Sequence, residues 1–149
     1  EATLLIKVAV EAATGWRPGL SVFGTDYPTR DGTGVRDYIH VVDLAHAHRL
    51  AMDYLEAGGA SETLNCGYGH GYSVREVLDA VERVTGKPLP ITYGPRRAGD
   101  PPELVADSSR LKTLFGWQPQ FDDLDRIVRT AYDWECKLAD GSVVDGRAR

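Results

Sequence analysis

Residues 20–58 read LSVFGTDYPTRDGTGVRDYIHVVDLAHAHRLAMDYLEAG. The stretch opens on a short strand, LSVF at 20–23, and closes on a helix. Between them GTDYPTRDGTG at 24–34 is a loop rich in glycine, threonine and aspartate. VRDYIHV at 35–41 is expected to be extended. Beyond it Leu44, Ala47, Ala51, Tyr54 and Leu55 recur at helical spacing. Asp43 stands where an N-cap accepts backbone N–H groups, and Gly58 or Gly59 would end the helix.

The same alternation continues on both sides. Upstream, residues 2–14 favour a helix that stops near Gly15. The first residues read as the middle of a helix with no initiator methionine, so a piece of a longer protein is expected. Downstream, ETLNCG at 62–67 is expected to be a strand. GYGHG follows, as a tight turn or as a loop whose backbone approaches a ligand. Ser73 and Glu76 have capping-box spacing. They open a helix with Val74, Val77, Leu78, Val81 and Val84 on one face. LPITYG at 89–94 reads as a strand, and proline keeps most of PRRAGDPPELVAD at 95–107 out of helix. Asp107 is expected to cap a short helix over 108–116. Asp122 or Asp123 is expected to cap a last one carrying Leu124, Ile127, Val128, Ala131 and Tyr132. Strands alternating with helices make the class α/β. No G-x-G-x-x-G run follows a predicted strand, so a complete dinucleotide-binding domain is not expected.

The net charge of -5 weighs against nucleic acid as a partner. Cys66 and Cys136 form no metal-ligand pair, and His46 and His48, two positions apart on one helix, point to different faces. No metal site is expected. No nucleophile arrangement stands out, His40 and Asp43 read as structural, and no catalytic residue is assigned. No apolar run has membrane-spanning length and no secretory signal is visible. No membrane partner is expected, and the expected setting is the cytoplasm.

The sharpest local signals are arginines. Arg36 leaves one loop, and Arg96 and Arg97 lie in another. Guanidinium groups match phosphate oxygens through rigid paired donors. Two arginines from separate loops can clamp a diphosphate, with Asp100 accepting from sugar hydroxyls. The competing reading is solvated loop charge and surface ion pairs. Tyr38, Tyr68 and Tyr72 either stack on a base or sugar or fill the core.

Three runs in order carry a family resemblance: LSVFGTDYPTRDGTGVRDYIHVVDLAHAH at 20–48, ETLNCGYGHGYSVREVL at 62–78 and PRRAGDPPELVADSSRLKTLFGWQP at 95–119. Together they resemble the UDP-glucose 4-epimerase family of extended short-chain dehydrogenases/reductases. The resemblance implies an α/β chain that is the C-terminal substrate-binding part of an NAD-binding Rossmann-type fold. Residues 1–138 would be the UDP-sugar-binding part, packed on a Rossmann domain outside the chain, and 139–149 a polar tail. It implies interconversion of UDP-galactose and UDP-glucose through NAD-dependent transient oxidation at sugar C4. NAD would be bound mainly by an N-terminal domain absent from this sequence, and the full-length protein would be a homodimer.

Residue by residue, Arg36 and Arg97 match the family's diphosphate contacts and Asp100 its ribose-contacting aspartate. Val22 and Phe23 match the segment beside the uracil. Leu104 matches a position that sets room beside the sugar's C2 substituent, so UDP-N-acetylglucosamine is a further expected substrate. The family's glycine-rich NAD loop and YxxxK pair are not in the sequence, and the segment alone is expected to be inactive. The alternatives are a related nucleotide-sugar dehydratase or decarboxylase, or a noncatalytic nucleotide-sugar-binding module.

Overall fold

A computed structural model describes residues 4–142. Five helices and five short strands follow one another along the described chain. They are α1 (Leu5–Thr14), β1 (Leu20–Phe23), β2 (Val35–Arg36), α2 (Val41–Glu56), β3 (Tyr72–Ser73), α3 (Val74–Thr85), β4 (Ile91–Gly94), β5 (Glu103–Leu104), α4 (Ser109–Phe115) and α5 (Leu124–Ala139). β1 pairs with β4 in parallel, and β2 pairs antiparallel with β3 and parallel with β5. α1, α3 and α5 pack on one another. Ala9, Val10, Val77, Val81 and Val128, all but inaccessible, form the centre of that layer, with Leu20 and Val22 of β1 on it. A second core gathers Ala47, Tyr68, Leu111 and Ile127 around the buried Trp117.

The α/β class stands, but the placement of the chain within the fold is corrected. A parallel pair requires a crossover. The one between β1 and β4 contains α2 and α3, while Leu20 and Val22 of β1 sit in the core built by α1, α3 and α5. This is the Rossmann-type parallel topology of an NAD-binding domain. It overturns the expectation of a C-terminal substrate-binding part that leaves such topology to a domain outside the chain. It equally overturns the assignment of NAD mainly to an absent N-terminal domain. A glycine-rich fingerprint is a local feature, whereas the topology arises from pairing between strands far apart in sequence.

Several local expectations also shift. α2 begins after His40, whose Nδ1 accepts from Val42 N at 3.1 Å, so His40 and not Asp43 is the cap. Residues 62–67 form no strand; no ladder partner faces them among the described residues. The proline-rich connection contains β5, because Val35 N donates to Pro102 O at 2.8 Å and leads the chain into register. Ser108, without a side-chain cap bond, precedes α4; Asp107 accepts from Ser109 N at 2.9 Å. The Ser73–Glu76 capping box and the Asp123 cap of α5 are formed as expected. Residues 2–3 of the first expected helix, and 143–149 of the expected polar tail, lie outside the described residues.

Candidate functional site

β1 ends at Phe23 and β4 at Gly94, and because they are parallel their following loops leave from the same end of the pair. That end is where open α/β sheets carry ligands. The loop after β1 leads to β2 and the loop after β4 leads to β5, a second parallel pair. Two loops therefore run from one sheet to the other. Arg96 ties them together: its Nε donates to Asp26 Oδ1 at 2.6 Å, its Nη2 donates to Asp26 O, and its guanidinium lies 4.4 Å from the Tyr27 ring centroid.

Arg97 is held differently. Its guanidinium lies 5.2 Å from the Phe23 ring centroid, and its Nε and Nη2 reach the same Asp100 oxygen, Oδ2, at 3.0 and 2.9 Å. The Arg97 side chain is 65% exposed. Its Nη1 donors are directed elsewhere than at Asp100, which leaves them for an anion. Arg36 Nη1 donates to Val35 O at 2.7 Å, and the guanidinium folds over Gly34. In the β2–β5 pair Arg36 is in register with Leu104, which is 62% exposed.

Of the six residues assigned from sequence, five form two groups. Arg97 meets both Phe23 and Asp100, and Arg36 faces Leu104 across a ladder. Val22 stands apart, its side chain in the core. Strand alternation instead places Ser21 on the outward face with Phe23. Ser21 Oγ and Thr92 Oγ1 are 2.9 Å apart there. Period-two reading of LSVF would have found Ser21; Thr92 needed the β4 register.

The aromatic and glycine candidates resolve towards packing. Tyr38 packs against the helical core, and burial, opposed by the Arg36 charge, pushes its hydroxyl to about 12. The buried Tyr68 hydroxyl donates to Asp43 Oδ2 at 2.7 Å and accepts from His40 N at 3.1 Å. Burial and that carboxylate push its pKa up. Gly71 lets β3 approach β2, since a methyl there would lie 2.7 Å from Val35 Cγ1. His40 pairs through Nε2 with Thr130 Oγ1 at 2.9 Å, and burial holds its pKa down, the Asp43 charge opposing.

Among the described residues no group of histidine, cysteine, aspartate and glutamate side chains is arranged to hold a metal, and no helix is long and apolar enough to cross a membrane. For a dinucleotide the topology is present, but neither β1 nor β4 runs through a glycine-rich turn into a helix N-terminus. In place of such a turn the loop after β4 carries the guanidinium groups of Arg96 and Arg97.

The family model described as GDP-mannose 4,6 dehydratase matches residues 2–130. The chain belongs to that family. Among its relatives, the UDP-glucose 4-epimerase of Azospirillum brasilense is 56% identical over 92% of this chain and 39% of its own length. That of Lacticaseibacillus casei is 51% identical over 89% of this chain and 40% of its own. The solved UDP-Glc/GlcNAc 4-epimerase of Campylobacter jejuni is 50% identical with a TM-score of 0.82, covering 92% of this chain and 41% of that one. The chain thus spans about two fifths of the length of the curated relatives it matches.

Proposed function

We propose that the protein containing this chain is an NAD-dependent UDP-glucose 4-epimerase that inverts the sugar C4 centre of UDP-galactose and UDP-glucose. The observation that carries the reading is Arg97. It is an exposed guanidinium braced by an aromatic ring and a carboxylate at the carboxyl end of a parallel strand pair, with donors left over. Identity of 50–56% to proteins named as UDP-sugar 4-epimerases supports the same chemistry. C4 inversion calls for a transient hydride acceptor, which NAD supplies. Four of its residues are assigned to the nucleotide sugar: Arg36 and Arg97 on the diphosphate, Asp100 on ribose hydroxyls, and Phe23 beside them. A homodimeric, cytoplasmic protein is part of the same proposal.

The name UDP-Glc/GlcNAc 4-epimerase on the Campylobacter jejuni relative, together with Leu104 in place of a larger ring, supports UDP-N-acetylglucosamine as a second substrate. A second reading, a nucleotide-sugar dehydratase, is favoured by the description of the family model itself. Incubation of the full-length protein with UDP-galactose separates the two: an epimerase yields UDP-glucose, and a dehydratase yields a deoxy keto sugar and water.

The site assignment is tested by calorimetric titration of UDP into full-length Arg36→Ala and Arg97→Ala. Each charge-assisted contact is worth roughly 1.5–3 kcal/mol. Both variants should therefore bind UDP at least about tenfold more weakly. Unchanged affinity in both removes the diphosphate assignment.

A further inference from the structure

Adjacent arginines in the loop after β4 each meet one aromatic ring and one carboxylate, yet the two arrangements differ. Arg96 uses the ring of Tyr27 and the carboxylate and carbonyl of Asp26, all from the loop after β1. It is spent on joining the loops. Arg97 takes its carboxylate, Asp100, from its own loop, three residues on. Among the described residues, it meets β1 at the Phe23 ring. Phe23 is itself fixed from behind. In register with Gly94, it lies so close that a methyl on Gly94 would sit 3.1 Å from Phe23 Cδ1 and 3.3 Å from Cε1. Gly94 is therefore the surface against which the ring rests, and the ring is the surface against which the guanidinium rests.

We infer that Phe23 is a positioning residue that acts through Arg97. Seated on Gly94, it holds the guanidinium plane so that the donors not taken by Asp100 face the diphosphate of the nucleotide. This deepens the proposed UDP-sugar reading and rests on it. It departs from the expectation that Phe23 serves the uracil, because the ring meets Gly94 and the Arg97 guanidinium, though 43% of the residue stays exposed. A planar cation over an aromatic face gains modest energy at an exposed site, but it also loses rotational freedom before the ligand arrives. The benefit then appears only with ligands that carry phosphate.

The two roles separate by ligand. UDP and uridine share the base and ribose, and only UDP has the diphosphate. Full-length wild type, Phe23→Leu, Phe23→Tyr, Gly94→Ala and Arg97→Ala are titrated with UDP, and with uridine as a competitor. Phe23→Leu should weaken UDP about two- to fivefold and leave uridine unchanged. Phe23→Tyr, which keeps the ring, should restore UDP binding. Gly94→Ala, which pushes the ring off its seat, should reproduce the leucine variant. In the double variant Phe23→Leu/Arg97→Ala the leucine should add no further loss. An equal loss of UDP and uridine in Phe23→Leu overturns the inference in favour of a base contact, as does a full additional loss in the double variant. If Arg97→Ala itself leaves UDP binding intact, the underlying site reading fails instead, and the two failures are thereby distinguished.

Discussion

A helix cap needs an acceptor just ahead of the first turn, and residues 40–43 offer two. Residue preference favours aspartate, yet His40 Nδ1 takes Val42 N. Asp43, in the first turn, is 1% exposed and accepts from the Tyr68 hydroxyl at 2.7 Å and from the backbone N–H groups of Gln120 and Phe121, each at 2.9 Å. All three partners are distant in sequence, so no local reading could find them. Arginines in the two loops are legible by residue type, but which partners each one takes is not. The inward turn of Val22 is legible too, from strand alternation. Burial pushes the Asp43 carboxyl up, while the Tyr68 hydroxyl and the two backbone donors outweigh it and hold its pKa below the ordinary aspartate value. A depressed folded pKa means stability that is present above the unfolded pKa and lost as pH falls through the folded one. Asp43→Asn keeps the shape but removes the charge and places donors against donors. It should cost the full-length protein about 2–3 kcal/mol at neutral pH. The gap to wild type should narrow only below about pH 4. Urea denaturation at pH 7 and in that acid range checks both statements, and equal stability at pH 7 would remove Asp43 as an anchor.

At the scale of elements, what the sequence showed were features closed within a few residues. α3 is the clearest case. Ser73 Oγ accepts from Glu76 N at 3.0 Å, Glu76 Oε2 accepts from Ser73 N at 2.7 Å, and Val77, Leu78, Val81 and Val84 are buried on one face. Features that need a partner elsewhere were hidden. Residues 62–67 have strand-forming composition, yet a strand exists only with a ladder, and none reaches them among the described residues. β5 lies in a connection that proline keeps out of helix, and it exists because β2 supplies its register. Ser73 shows the local and the distant joined in one side chain, for its hydroxyl also donates to Asp31 Oδ2, in the loop before β2. Ser73→Ala removes the cap and leaves Asp31 one donor short, so it should destabilise the full-length protein by about 1–2 kcal/mol. The urea midpoint should fall with the m-value unchanged. A midpoint that stays put would show that water replaces both bonds.

For the whole molecule, topology decides which residues meet. The parallel β1–β4 pair brings Phe23 to Gly94 and thence to Arg97, and the parallel β2–β5 pair brings Arg36 to Leu104. The missing glycine-rich motif hid this Rossmann-type arrangement, since motif and topology are separate properties of a chain. The consequence for substrate range lies in the second pair. Leu104 follows Asp100 by four residues and stands beside Arg36, and the proposed diphosphate placement puts the attached sugar near it. The leucine side chain is 62% exposed, and it lacks both the ring and the hydroxyl of a tyrosine. An N-acetyl group on sugar C2 needs space that a ring here would fill. Forcing extra atoms against packed ones costs about 1–3 kcal/mol, and roughly 1.4 kcal/mol is a factor of about ten in rate. Because Leu104 is exposed, Leu104→Tyr should fold normally and keep UDP affinity. The full-length protein should turn over both UDP-galactose and UDP-N-acetylglucosamine. The tyrosine variant should hold its rate on UDP-galactose within about threefold and lose about ten- to a hundredfold on the N-acetylated sugar. Steady-state rates on the two substrates, for wild type and variant, decide it. A wild type inert towards UDP-N-acetylglucosamine but active on UDP-galactose would place the limit on sugar size in other residues.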